Sequence, residues 1–474
     1  MLSYFKNSFF VAAIHLIFCF TSAWAEKEPS PDVVMIVVDD MNDSISLLSP
    51  EHGIKTPNIE KLAKRGTSFT KAYCQSPACN PSRAAVMTGL NPSSTGVYGN
   101  KSDWKKAIKN HPTFFELFRS SGYQVEGAGK IYHHHLNGAF HHDESFDAFQ
   151  HMDKQNMPKV KLNKAPEYGS RNTDWGAWPL DERDTIDFKS VDFCIQRLKS
   201  RNPAKPIFLT CGIFKPHSPF FAPPQYQATH GENFKITEYA HDLEDLPSGA
   251  NRILNLKKWF YQGMMKLDRK RPGSFQNFIN SYAACCRFAD AQIGRLMAAV
   301  DEHTKKENTI IILWSDHGFH LGEKQHIEKF ALWERTTRVP FIIVAPDIAN
   351  PGSECETPVD LSSIYPTLCD LAKIKNAPRN LDGHSLVPLL NNDFEDWPYP
   401  ALSTYGVGNH AVRKDNWRFI HYSDGSKELY NLKSDPNEWH NLADKPQYKK
   451  TISRLTSYLP KKEKEQVKDL KLKK

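Results

Sequence analysis

The apolar positions of this 474-residue chain fall into two textures. Up to Leu390, short continuous apolar runs alternate with segments whose apolar residues recur at helical spacing. Residues 33–38 (VVMIVV) form an unbroken run rich in β-branched side chains, as expected of a strand buried on both faces. Further strands are predicted over 124–127, 207–213, 309–315 and 341–345. Helices are predicted between them. One opens at Thr56-Pro57 and ends at Gly66, and others cover 113–121, 184–200, 275–303 and 362–372. This alternation predicts an α/β fold with a large, mostly parallel central sheet sandwiched by helices.

After Leu390 the pattern changes. Residues 391–400 form a polar, Pro-flanked linker, followed by short alternating strands near 410–413, 417–422 and 428–430 and a helix near 447–458. This predicts a smaller C-terminal α+β subdomain with an antiparallel sheet. The expected organisation is a catalytic domain over 26–390, the subdomain over 391–460, and a lysine-rich tail over 461–474.

Residues 1–25 have the build of a secretory signal peptide: Lys6, an apolar run from 9 to 20 broken only by His15, and Ala23-Trp24-Ala25 as a small-x-small cleavage site. An N-terminal membrane anchor is the alternative reading of the same run. The mature protein is expected to be exported (periplasmic or secreted, or lysosomal in a eukaryote) without a membrane span. The formal charge of +7 belongs mostly to the ends: the tail carries a net +4 and the leader +1, leaving +2 for the body. So neutral a body argues against a nucleic-acid partner. The tail reads as a solvated, frayed end whose removal leaves turnover intact, with a polybasic arm as the alternative. Eight cysteines remain beyond the leader, an even count compatible with disulfides whose connectivity the sequence does not give.

In an open α/β sheet, ligands gather beyond the carboxyl ends of the strands. Asp39 and Asp40 follow the first run, Lys215-Pro216-His217 follow 207–213, and Asp316-His317 follow 309–315. Adjacent buried carboxylates repel each other and persist most easily around a cation. Asp39, Asp40 and Asp316 offer hard oxygen ligands suited to Ca²⁺ or Mg²⁺, with His317 as a nitrogen ligand. By itself the Asp39-Asp40 pair also reads as a turn or helix cap. The second strand end, with Asp316-His317, tips the balance towards a metal.

The most specific segment is Cys79-Asn80-Pro81-Ser82-Arg83, continuing through 84–87 to Thr88-Gly89. Pro81 suits a first helical turn, which puts Cys79 at or just before a helix N-terminus, where backbone N–H groups favour anions. Taken alone, Cys79 reads as a low-pKa thiol or a disulfide partner. The pattern C-x-P-S-R-x4-T-G, however, resembles the signature of the type I sulfatases of the alkaline phosphatase superfamily. In that family the cysteine is converted to Cα-formylglycine. The resemblance extends over residues 31–439 and looks closest to the iduronate-2-sulfatase branch. The residues carrying that are Gly129-Lys130-Ile131-Tyr132-His133, Lys215-Pro216-His217-Ser218-Pro219-Phe220, and Ser315-Asp316-His317-Gly318 with Leu321-Gly322-Glu323.

The resemblance implies an alkaline phosphatase-like fold and a role for each matching residue. Asp39, Asp40, Asp316 and His317 would hold calcium together with the formylglycine made from Cys79 by a formylglycine-generating enzyme. If Cys79 does this chemistry, an odd seven cysteines remain for structural use. Arg83 and Lys130 would neutralise the diol and the sulfate, His133 would hydrogen-bond the diol, and His217 and Lys329 would face the sulfate and the leaving oxygen. The chemistry is coherent: a sulfate monoester is an anion, so its transition state needs cations already in place. One hydroxyl of the hydrated aldehyde attacks sulfur. An alkoxide leaves poorly, so a general acid is needed, with His217 the first choice and Lys329 the second.

The expected substrate is a sulfated carbohydrate, such as a 2-O-sulfated uronate of a glycosaminoglycan or algal polysaccharide. Lys215 and His134 are candidate substrate contacts. Lys215 reads equally as a solvated loop residue, and His133-His134-His135 also fits a surface metal-binding tract. Phe220-Phe221 reads as loop packing rather than sugar stacking. Two alternatives stand beside the sulfatase reading: a phosphonate monoester or phosphodiester hydrolase of the same superfamily, and a non-catalytic glycan-binding relative.

Overall fold

The structure, a computed structural model, describes residues 30–50, 53–133, 138–163, 173–227, 234–346, 351–391 and 397–471. The expected leader, His134 and part of the 391–400 linker lie outside the described residues.

Numbered in chain order, the central sheet contains β1 (Asp32–Asp39), β2 (Thr67–Phe69), β3 (Gln124–Gly129), β4 (Ala148–Gln150), β5 (Ile207–Pro216), β6 (Thr309–Ser315), β7 (Phe341–Val344) and β8 (Ser353–Cys355). Their spatial order is β8-β2-β7-β6-β1-β5-β3-β4. Neighbours pair in parallel except on both sides of β7, which is antiparallel to β6 and to β2. The sheet is therefore mostly parallel, as the alternation predicts.

Why β1 sits at the centre follows from its composition. Val34, Ile36 and Val38 point into one apolar layer, and Val33, Met35 and Val37 into the other. All six are fully buried, a situation only a strand covered on both faces meets. The first layer is closed by α1 (Pro57–Ala63), α4 (Ile186–Ser200), α5 (Ser248–Lys270) and α6 (Ser274–His303). The second is closed by α2 (Cys79–Thr88), α3 (Phe114–Ser120) and α7 (Ile364–Leu371). Helix α5 was not anticipated from the sequence. Its buried Ile253, Phe260, Met264 and Leu267 do carry helical spacing, but lysines, asparagines and glutamines dilute the stripe.

A four-stranded antiparallel sheet follows: β9 (Ala401–Thr404), β10 (His410–Lys414), β11 (Trp417–His421) and β12 (Lys427–Asn431), in that order. Ala411, Ile420 and Tyr422 pack against Ala250 and Ile253 of α5, whereas Val412, Phe419 and Leu429 pack against Leu455 of α8 (Lys449–Thr456). The alternation of inward faces along β10 and β11 thus joins the subdomain to the main body on one side and to its own helix on the other.

Two expectations are corrected here. The tail does not fray over its described length: Lys464 and Val467 donate backbone N–H groups to Ser93 and Gly96, and Leu470 donates to Lys101. Val467 and Leu470 also pack on the second apolar layer, so Lys468 and Asp469 between them are the outer face of an anchored strap. Nor do the cysteines pair. Cys74, Cys79, Cys194, Cys211, Cys285, Cys286, Cys355 and Cys369 are all free and buried. Most behave as small apolar side chains, and burial raises the thiols of Cys74, Cys194, Cys285 and Cys286.

Candidate active site

Strands β1, β5 and β6 lie side by side, so the residues after them meet at one edge. A regular strand would send Asp39 and Asp40 to opposite faces. The register shifts between Val38 and Asp39, and Asp40 takes φ 63°, a left-handed conformation costly for a residue with a Cβ. That twist lets both carboxylates reach one point. Three bonds hold it: Asp40 N–H donates to Asp316 Oδ1 at 3.1 Å, Met41 N–H to Ser315 Oγ at 3.0 Å, and Tyr282 Oη–H of α6 to the Asp40 carbonyl at 2.8 Å.

Cys79 opens α2 after the extended Ala78, so its sulfur stands at the helix N-terminus. The Asn80 side chain donates to the carbonyls of Gly99 and Ser102, and Ser82 Oγ–H donates to the Asp316 carbonyl, pinning the first turn. Around Cys79 Sγ stand Lys329 Nζ at 3.1 Å, His317 Nε2 at 3.3 Å and Lys130 Nζ at 3.8 Å. Lys329 is carried in by a contorted segment: Glu328 and Phe330 both have positive φ, and Phe330 N–H is held by the Pro77 carbonyl.

The charges decide the protonation pattern. Burial alone would raise Cys79, but Lys130, Lys329 and His317, with a hydrogen bond to His133, pull its thiol well below the usual value. Burial works against the Lys329 ammonium too, yet Asp40 and Cys79 outweigh it and hold it well above its ordinary value. Asp39 sits well below the carboxylate range because Lys130, His217 and Arg83 overcome its burial. Asp316 goes the other way: burial pushes it up to about 7 against the pull of Arg83, with Asp39 adding to the rise. Burial holds His133 below its ordinary value, which keeps it a neutral partner for Cys79.

One ligand atom each from Asp39, Asp40, Cys79 and His317 lies within 4.8 Å of the others, all four residues being buried. Two carboxylates, an imidazole and the position-79 side chain suit a divalent cation. Asp316, expected as a further ligand, borders that cluster, its Oδ2 lying 3.5 Å from His317 Nε2. Its Oδ2 accepts from Arg83 Nε at 2.8 Å, and its Oδ1 accepts from the amides of Asp40 and His317.

Two other expected site residues are held by the protein itself. Arg83, fully buried, donates to Asp316, to Asp39 Oδ1 at 3.1 Å and to the Lys130 and Ile131 carbonyls. With four of its five N–H groups engaged by the protein, it ties three strand ends together. Lys215 does not reach outward as a substrate contact. Its ammonium is buried and donates to the His217 carbonyl at 3.2 Å and to the Pro219 carbonyl, so it braces the turn that carries His217.

That turn presents His217 at the site's rim. Its Nδ1–H is directed at the Ser218 carbonyl, 2.7 Å away, and Nε2 faces Asp40 Oδ2 at 4.0 Å with the side chain 25% exposed. Phe220 and Phe221 are buried and Phe220 packs on Phe278, Tyr282 and Phe319, as the packing reading expects. Asp187 of α4 was not anticipated: it accepts the Phe214 and Lys215 amides at 2.6 and 3.2 Å and so anchors the same turn. Tyr282 was missed as well. Neither carries a local sequence signal, because each acts through contacts distant in the chain.

The sulfatase family model matches residues 31–374, and the model of the N-sulphoglucosamine sulphohydrolase C-terminal region matches residues 322–465. A protein named sulfatase from Formosa agariphila is 36% identical over 453 residues, covering 91% of this chain and 86% of its own. Among solved structures, the phosphonate monoester hydrolase of Agrobacterium radiobacter superposes with TM-score 0.71 at 19% identity, covering 90% of this chain and 94% of that one. BT4656 in complex with its substrate D-glucosamine-2-N,6-O-disulfate superposes with TM-score 0.70 at 21% identity, covering 90% and 96%. These two likenesses describe the fold.

Proposed function

The chain belongs to the sulfatase family and is a sulfuric ester hydrolase, and we propose that it acts on a sulfated carbohydrate through a formylglycine made from Cys79 and a calcium ion. The observation that carries this reading is the convergence of Lys130, Lys329, His317 and a helix N-terminus on the Cys79 side chain. A site that so strongly stabilises negative charge at one buried atom is built for an anionic nucleophile and an anionic substrate.

Asp39, Asp40, His317 and the modified residue 79 would hold the ion, which would supply positive charge to the sulfate oxygens. Formylglycine would supply a hydrated aldehyde whose hydroxyl is the nucleophile and whose second hydroxyl allows sulfate to be expelled. The protein's own groups do the rest. His133, neutral, accepts or donates a hydrogen bond at residue 79 and orients it. Lys130 and Lys329 stand beside the carboxylates and draw the sulfate in. His217, on the rim of the site, is the first choice for the general acid, with Lys329 the second. With Nδ1–H fixed on the Ser218 carbonyl, a protonated His217 directs Nε2–H into the site and delivers that proton to the leaving sugar oxygen. Arg83 keeps Asp39 and Asp316 in place.

A 2-O-sulfated uronate or related sugar sulfate is our preferred substrate, supported by the iduronate-2-sulfatase-like motifs around Lys130, His217 and His317. The leader supports export of the mature chain. Among the described residues no helix is long and apolar enough to cross a membrane. The fold's likeness to a phosphonate monoester hydrolase makes the discriminating experiment a comparison of matched aryl sulfate, phosphate and phosphonate esters. Faster sulfate release is the expected result, and a clear preference for phosphorus esters would overturn the reading. A panel of sulfated oligosaccharides then identifies the sugar.

A further inference from the structure

Beyond the catalytic cluster, the described residues contain a second group of metal-ligating side chains: His141, Asp143 and His151, whose ligand atoms lie within 4.8 Å of one another. The three come from different local elements. His141 ends the segment that leaves the catalytic pocket at His133, Asp143 opens a single 3₁₀ turn (Asp143–Ser145), and His151 follows β4 at the sheet edge.

The site is organised rather than accidental. His141 is 7% exposed, and its ring stands edge-on to Tyr132 and Phe149 with centroids 5.6 and 5.4 Å away. Its backbone is held at both ends: the N–H donates to the Gly138 carbonyl at 2.9 Å, and its carbonyl accepts from Lys105 Nζ at 3.0 Å. The His151 ring lies 4.4 Å from that of His141, and His151 Nε2 is already 3.1 Å from Asp143 Oδ1. A tetrahedral ion with ligands at about 2.0–2.1 Å spaces them about 3.3 Å apart. One pair meets that spacing as it stands. The side chains of His151 and Asp143, 47% and 68% exposed, are free to rotate the short remaining way.

We propose that His141, Asp143 and His151 bind a first-row divalent ion of the zinc type, separate from the catalytic cation. Two imidazoles and one carboxylate favour such an ion over calcium, whose sites are built from oxygen. Water completes the shell on the exposed side. The ion fastens the end of the segment beginning at His133 to the edge of the sheet, a positioning role with no part in the sulfate chemistry.

The test is a Co²⁺ titration of the full chain carrying Cys79→Ala, in excess Ca²⁺, read by visible absorption and by calorimetry, with Zn²⁺ as competitor. One equivalent should bind and be displaced by Zn²⁺. His151→Ala and Asp143→Ala change exposed side chains, so each should fold and weaken binding by more than about 10-fold, since even outer-shell partners of a metal are worth 10–100-fold. His134→Ala with His135→Ala should leave it unchanged. Absence of stoichiometric binding, wild-type affinity in His151→Ala, or loss of binding only in the His134/His135 variant would overturn the proposal. None of these outcomes depends on whether the protein hydrolyses sulfate esters.

Discussion

Lys329 places its ammonium 3.1 Å from the Cys79 sulfur and 2.8 Å from Asp40 Oδ1, joining parts of the chain 250 residues apart. One cation thus serves both the proposed nucleophile position and a carboxylate of the proposed cation site. Lys329→Ala should lower kcat by about 10²–10³, the usual cost of one preorganised charge at a reacting centre. Lys329→Arg should recover little, because a planar guanidinium does not fit the compact point between Sγ and Oδ1. Steady-state kinetics on an aryl sulfate measure both.

Cys79→Ala and Asp39→Asn should each abolish turnover. The first removes the proposed nucleophile. The second removes a carboxylate that Arg83 and Lys130 both contact and that belongs to the cation cluster. Mass spectrometry of the tryptic peptide spanning residues 72–83 from active enzyme should show an aldehyde at position 79. An intact thiol in fully active material would sink the nucleophile assignment.

His217→Ala should separate substrates by leaving group. A nitrophenolate leaves without help, so aryl sulfates should lose little. An alkoxide needs a proton, so sugar sulfates should lose about 10²–10⁴-fold. Equal losses on both would remove His217 from the acid role.

The anchored tail changes the expectation for truncation. Gly96 has φ 80°, and a Cβ there would fall 2.3 Å from the Glu465 carbonyl oxygen, so the strap and the 96–103 loop are fitted to each other. That loop supplies the carbonyls that hold Asn80. Deleting residues 461–474, or Gly96→Ala, should lower the melting temperature, with activity lost at lower temperature than in the wild type. An unchanged melting curve for both would show that the strap contributes nothing.

Glu438 provides a pH signature in the subdomain. Burial pushes it up to about 8, against the pull of Arg418 at 2.9 Å. Between the ordinary 4.5 and about 8 the folded protein keeps a proton that the unfolded chain has released. The folded state binds more protons there, so stability falls as pH rises through that window. Glu438→Gln should remove a contribution to that slope on the order of 1–3 kcal/mol, read from denaturant unfolding at pH 5 and pH 8.

Much of this architecture was legible locally. Continuous apolar runs marked β1, β5 and β6, because burial on both faces demands apolar residues at every position. The helical period marked α4 and α6. The Cys79–Gly89 segment and the Asp39-Asp40 and Asp316-His317 strand ends named residues that the fold brings together at one sheet edge. Missed were features whose signal is spread across the chain: helix α5 with its diluted stripe, Asp187 and Tyr282 acting at a distance, and the anchoring of the tail.

By itself, then, the sequence determined which segments are strands and which residues bring charge to the sheet edge, since both are properties of neighbours along the chain. Only the tertiary structure decided what each charge faces. The left-handed Asp40 turns two carboxylates to one point, and neighbouring strands direct Arg83 to Asp316 and Asp39. The Lys215 ammonium is drawn inward to two carbonyls. Those outcomes depend on strand register and on buried donors finding acceptors across hundreds of residues, and no local pattern encodes them.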